Sequence, residues 1–165
     1  MSDRKARPFV STVAFDPDRI RAASVYCSDG RYGEQIDEFL HRGLGLPRYD
    51  RIALPGGPAC YSGELSVFWE AHSAERQLEF LCRVHQLERL VFIAHQHCAF
   101  YLETLKIPPE RLERRQLDDV VKAATRVRIA QPQLVIDAYF AHRTEAQVSF
   151  HPIALPAAVT SRRGQ

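Results

Sequence analysis

Ala22-Ala23-Ser24-Val25-Tyr26-Cys27-Ser28-Asp29-Gly30-Arg31 and Leu90-Val91-Phe92-Ile93-Ala94-His95-Gln96-His97-Cys98 repeat one pattern, a short apolar run followed at once by reactive side chains. The runs 22–26 and 90–94 are rich in β-branched and aromatic residues and too short for ordinary helices, which predicts buried strands of a parallel sheet. In an open α/β sheet, ligands collect beyond the carboxyl ends of the strands. If the two strands are neighbours, Cys27, Asp29, Arg31, His95 and Cys98 reach one rim. That is the raw material of a catalytic metal site.

Composition narrows the setting. The chain has 165 residues, 45% of them apolar, enough for one domain with a real core. A net charge of +2 and the lack of any long basic run argue against nucleic acid as a partner. The residues Met1-Ser2-Asp3-Arg4-Lys5-Ala6-Arg7-Pro8 contain no apolar signal core, and no stretch is long and apolar enough to span a membrane. A soluble, cytoplasmic protein is expected. In a reducing compartment the four cysteines, Cys27, Cys60, Cys82 and Cys98, read as ligands, catalysts or core filling rather than as disulfides.

Residues 1–21, charged and broken by Pro8 and Pro17, read as an N-terminal arm whose Phe9, Val10, Val13 and Phe15 can pack on something, a partner subunit being one candidate. Residues 22–156 form the expected single α/β domain, which carries the candidate metal site, and 157–165 a flexible tail. Within the domain, Ile36, Phe39 and Leu40 give residues 34–41 one helical face, closed by Gly43 and Gly45. A strand at 51–54 leads into Pro55-Gly56-Gly57-Pro58, read as a flexible loop near the functional rim. Ser73 is the expected N-cap of a helix that buries Leu78, Leu81, Cys82 and His85 against the sheet. That helix completes a strand-helix-strand crossover into the strand at 90. Pro108 and Pro109 open a further helix with a stripe of Leu117, Val120, Val121, Ala124 and Val127. Strands at 134–141 and 147–153, joined by the turn Arg143-Thr144-Glu145, close the chain. The fold class is α/β, a three-layer domain with a central, largely parallel β-sheet flanked by helices.

The chemistry points to zinc. A catalytic zinc keeps three protein ligands and an open position for water, and it takes Cys sulfur and His nitrogen readily. Cys27, His95 and Cys98 make that set: His-x-x-Cys at a strand end lets both side chains turn onto one ion, and Cys27 arrives from the adjacent strand. Two thiolates offset most of the ion's charge, so the bound water needs help. Asp29, two residues beyond a ligand, can accept a hydrogen bond from that water, and Arg31 can grip the Asp29 carboxylate in a fork of two hydrogen bonds. Released by Arg31, Asp29 could swing onto the metal and close the site.

Cys-x-Asp-x-Arg followed by His-x-x-Cys resembles the signature of the β-class carbonic anhydrases. The order of elements over 22–105 is similar to that family, and the closing helix and strand pair resemble its C-terminal portion. The resemblance implies a β-carbonic anhydrase-like fold, zinc on Cys27, His95 and Cys98, and a catalytic dyad of Asp29 and Arg31. It implies reversible hydration of carbon dioxide to bicarbonate by zinc-bound hydroxide, in a homodimer or higher oligomer with sites at the subunit interface. Ala53-Leu54-Pro55-Gly56 stands where the family usually has Arg-Asn-Ala-Gly, and Ala94 and Ala99 stand where it usually has glycine. The segment 59–70, with Tyr61, Phe68 and Trp69, is longer than the family's connection.

Two alternatives stay open: a zinc protein of this fold acting as a regulatory or binding module, and a hydrolase of carbonyl sulfide or carbon disulfide. A phosphatase or sulfurtransferase loop is set aside, because those enzymes need more residues between Cys and Arg to cradle an oxyanion. Cys60, His72, His85 and His97 read as bystanders, and the three aromatic residues at 61, 68 and 69 as core or interface.

Overall fold

The computed structural model describes residues 8–18, 21–63 and 68–157. Most of the arm falls within them, while residues 1–7, 19–20, 64–67 of the segment 59–70, and the tail from 158 onward lie outside. The strands are β1 (Ala22–Cys27), β2 (Asp50–Leu54), β3 (Arg89–His95), β4 (Val135–Arg143) and β5 (Val148–Pro152). They form a sheet of order β2-β1-β3-β4-β5. The first four are parallel, and β5 runs antiparallel to β4. The two runs that frame the candidate site are therefore neighbours, with Tyr26 opposite Ile93.

β1 is buried along its whole length because both faces of the sheet are covered. Side chains alternate across a strand. Ala23, Val25, Leu90, Phe92, Ile136 and Ala138 pack on one face against Ala74 and Leu78 of α2 (Phe68–Val84) and Val120, Ala123 and Val127 of α3 (Pro109–Ala130). Ala22, Tyr26, Val91 and Ile93 pack on the other, against Ile36 of α1 (Gly33–Glu38) and Leu40 of the π-helical turn Phe39–Gly43 that continues it. The expected three layers result. Ser24, the polar residue of β1, donates its hydroxyl to the Val91 carbonyl at 3.0 Å and so is buried without an orphaned group.

Several local expectations are corrected. Ser73 lies inside α2 and is not its N-cap: the helix already includes Phe68, and none of the residues from 68 to 72 is a helix breaker. The Pro-Gly stretch is no flexible loop but a turn running into a buried 3-10 helix, Gly57–Tyr61. Its positive-φ glycines let the backbone close on β1, where a Cβ on Gly57 would meet the Tyr26 carbonyl carbon at 2.7 Å. Cys82 is half-buried and packs against the core beside Leu81 as expected, whereas His85 lies beyond the end of α2 and pairs with Asp50 at 2.7 Å. Arg143 belongs to β4, so the hairpin turn falls one residue later, closed by Thr144 N–H donating to the Gln147 carbonyl. Tyr61 is core while Trp69 is 79% exposed. Among the described residues, no helix is long and apolar enough to cross a membrane.

Candidate metal centre

β1 and β3 end side by side, and the chain's reactive groups follow directly. Cys27 closes β1, His95 closes β3, and Cys98 lies two residues before the π-helical turn Phe100–Thr104. One ligand atom from each of the three lies within 4.8 Å of the others. All three residues are buried, and the two Sγ atoms are 3.7 Å apart. The turn from His95 to Cys98 is made by His97 in the left-handed region, φ 52°, with its side chain exposed. His97 thus serves the turn rather than the ligand set.

His95 Nδ1 lies 2.8 Å from the Gln96 carbonyl oxygen. A carbonyl only accepts, so Nδ1 carries the proton and Nε2 keeps its lone pair. Nε2 is buried with no hydrogen-bond partner among the described residues. A buried orphaned acceptor beside two thiols is costly unless something binds it, and two sulfurs with one imidazole nitrogen is a donor set that zinc takes. The residues present therefore fit a zinc ion.

The thiols divide their acidity. Cys27 is held well below the ordinary thiol range, chiefly by the Cys98 S–H that can donate to it, with help from the Gly56 N–H. That same hydrogen bond, together with burial, pushes Cys98 up, while the N–H groups of Tyr101 and Phe100 pull the other way. Cys60 is a different case. It is fully buried, its thiol faces the Pro55 carbonyl at 3.6 Å, and burial raises it to about 11, an inert core residue.

Asp29 and Arg31 meet as expected. Arg31 Nε and Nη2 donate to the two Asp29 carboxylate oxygens at 2.9 and 2.6 Å, and the Arg31 N–H adds a third bond at 3.1 Å. Arg31 holds the Asp29 carboxyl down at about 2. Both Asp29 carboxylate oxygens are thus engaged by Arg31.

Other groups that build the site had no motif to announce them. Gly56 brings its N–H to Cys27, and the buried Gln116 of α3 donates Nε2–H to the His95 carbonyl at 2.9 Å. Asp119, buried on the same helix, is bound by Arg115 at 2.9 Å, while burial raises its carboxyl. A signal for these last two existed: polar residues at 116 and 119 interrupt the apolar face of α3.

Fold and site together define a mostly parallel α/β protein with a buried Cys-His-Cys cluster able to hold a metal at the carboxyl rim of its sheet. No protein-family model matches the chain. It is 26% identical over 101 residues to an uncharacterized protein of Rickettsia conorii (strain ATCC VR-613 / Malish 7), covering 61% of this chain and 52% of that protein. To an uncharacterized protein of Rickettsia bellii (strain RML369-C) it is 27% identical over 93 residues, covering 56% and 54%. The chain spans about half the length of the curated relatives it matches. Among solved structures it is similar to the β-carbonic anhydrase isoform I of Trichomonas vaginalis, with a TM-score of 0.48, 18% identity and 87% of each chain covered. It is also similar to the β-carbonic anhydrase CafA of Aspergillus fumigatus, with a TM-score of 0.46, 15% identity and coverage of 82% of this chain and 77% of that one.

Proposed function

We propose that the chain is a divergent β-class carbonic anhydrase, a zinc-dependent carbonate dehydratase that interconverts carbon dioxide and bicarbonate. One observation carries the reading: the Cys27, His95 and Cys98 donors converge within 4.8 Å on the rim that also holds the Arg31-gripped Asp29. Zinc held by the three would supply Lewis-acid activation of a water molecule. Two thiolates bring more negative charge than neutral imidazoles would, so this chain relies on Asp29. Its carboxylate, kept ionised by Arg31, accepts a hydrogen bond from the attacking water and orients it. Arg31 fixes Asp29 as a planar fork, which a lysine could not reproduce.

Phe100, Leu102, Leu105 and Ile107 pack around the cluster that contains Cys27 and Cys98, an apolar wall suited to a small uncharged molecule. Carbonyl sulfide and carbon disulfide share that character and are the next substrates to assay. In this reading 22–156 is the zinc-binding unit and the minimal assembly is a homodimer, supported by arm residues Phe9, Val10, Val13 and Phe15, which are 80–91% exposed. A reducing cytoplasm suits four free cysteines. The test is stopped-flow hydration of carbon dioxide by protein of measured zinc content, from neutral to alkaline pH, beside Asp29→Ala. Activity that rises with pH and vanishes in the variant bears the reading out. One zinc per chain with no hydration at any pH sinks it, and leaves a hydrolase of the sulfur analogues or a binding module of the same fold.

A further inference from the structure

Gln96, the residue next to His95 in the turn, is held from three directions. Its N–H donates to the Ala141 carbonyl at 3.1 Å, and its Oε1 accepts the Arg143 N–H at 2.9 Å, so β4 fixes it from one side. Its carbonyl oxygen then receives two donors, His95 Nδ1–H at 2.8 Å and the Tyr32 hydroxyl at 3.2 Å. A carbonyl has two lone pairs, and both are used here.

Tyr32 also touches the imidazole itself. The two rings lie 4.3 Å apart at centroid and are tilted by 41°. Tyr32 is 2% exposed and ends the 3-10 turn Gly30–Tyr32, its N–H donating to the Asp29 carbonyl at 3.1 Å. One side chain therefore spans from the Asp29–Arg31 turn to the acceptor that fixes the His95 tautomer. From the opposite side, Gln116 holds the His95 carbonyl.

We propose that Tyr32 is a positioning residue for His95: its hydroxyl holds the Gln96 carbonyl where it captures Nδ1–H, and its ring fixes the imidazole plane, keeping Nε2 directed into the ligand set. The partner that orients a ligating histidine's other nitrogen sets its tautomer and basicity, and losing such a partner costs about 10–100-fold in metal affinity. Tyr32 acts one step further out, on the acceptor rather than on the imidazole nitrogen. The lower end, about tenfold, is therefore expected.

The inference rests on the proposed zinc site, and its test separates the two. Tyr32→Phe keeps the ring and removes the hydroxyl. Tyr49→Phe is the control, because that hydroxyl donates to Asp37 rather than to Gln96 or to any of the three donor residues. Zinc affinity is read by chelator competition and ligand geometry by the absorption spectrum of the cobalt-substituted full chain, with circular dichroism confirming the fold. Tyr32→Phe is expected to bind zinc about tenfold more weakly and to shift the cobalt bands, while Tyr49→Phe changes neither. A Tyr32→Phe protein with parental affinity and a superposable cobalt spectrum overturns the proposal, as does an equal loss in both variants. A parent that binds neither metal overturns this proposal and the zinc site together. A parent that binds zinc but does not hydrate carbon dioxide overturns only the reaction, and the affinity comparison still decides the role of Tyr32.

Discussion

Gly56 lies directly against the ring of Phe100: a Cβ built on Gly56 would come within 2.3 Å of Phe100 Cδ1. Gly56 also sits at φ 76°, a conformation that L side chains rarely adopt, and its N–H is spent on the Cys27 thiol. Gly56→Ala is therefore expected to destabilise by about 2–4 kcal/mol, combining left-handed strain with overpacking. Phe100→Leu should relieve the clash but not the strain. A double-mutant cycle by urea denaturation should thus show favourable coupling between the two positions. Equal cost of Gly56→Ala in both backgrounds would mean that the Phe100 contact is irrelevant.

Cys98 is 1% exposed and packs with Tyr101 and Leu112, so a serine there removes a proposed ligand without opening a large cavity. Metal bound only by the folded state adds stability by mass action, ~2.7 kcal/mol at a hundredfold excess over the dissociation constant. For a chain of this size that is about 5–10 °C in Tm. The parent is expected to lose that much on chelation. Cys98→Ser should melt at the same temperature with and without chelator, and a Cys98→Ser protein that keeps a full zinc complement refutes the ligand assignment.

Asp29 gives a pH signature with a defined sign. Its folded carboxyl titrates at about 2 because Arg31 donates to it, below the ~3.9 of an unfolded aspartate. A depressed folded value means stability that is complete above about pH 4 and is lost as pH falls toward 2. Arg31 is 62% exposed, so solvent screening keeps this contribution to roughly 1 kcal/mol or less. Asp29→Asn should flatten the acid limb of stability between those values while leaving zinc affinity at neutral pH unchanged. If activity requires the oriented carboxylate, the same variant should lose about 10²–10⁴-fold in carbon dioxide hydration. An unchanged turnover at full zinc occupancy removes Asp29 from the reaction.

What the sequence made legible followed from local rules. The apolar runs ending in Cys27 and His95 announced neighbouring parallel strands, and the spacing of Cys27, Asp29, Arg31, His95 and Cys98 announced a convergent cluster. Both depend on which residues follow one another, so both survive without coordinates. The missed features depend on what lies across the fold. Gly56 reads as a turn residue until its contact with Phe100 and Cys27 is seen. Ser73 looks like a cap because serine caps well, yet the residues from Phe68 onward carry the helix through it. Gln116 and Asp119 read as interruptions of an apolar stripe, and only the structure shows that one holds the His95 carbonyl and the other Arg115.

The arm sets the last prediction. Phe9 and Phe15 are each 91% exposed, and Val10 and Val13 are 80% and 81% exposed, while Asp16 pairs with Arg48 and ties that end of the segment to the body. Four large apolar side chains on one short segment are more than an isolated surface residue explains, and such a patch marks an interaction surface. A second copy of the chain is the occupant that the homodimer reading supplies. Sedimentation velocity on the full chain is expected to give a dimer, and replacing Phe9 and Phe15 together by serine should raise the dimer dissociation constant at least tenfold. The substitution touches none of the proposed ligands, so zinc content should not change. A monomeric parent would refute the assembly outright. A dimer indifferent to both substitutions would place the interface on another face, and the exposed aromatics of the arm would then need a different partner.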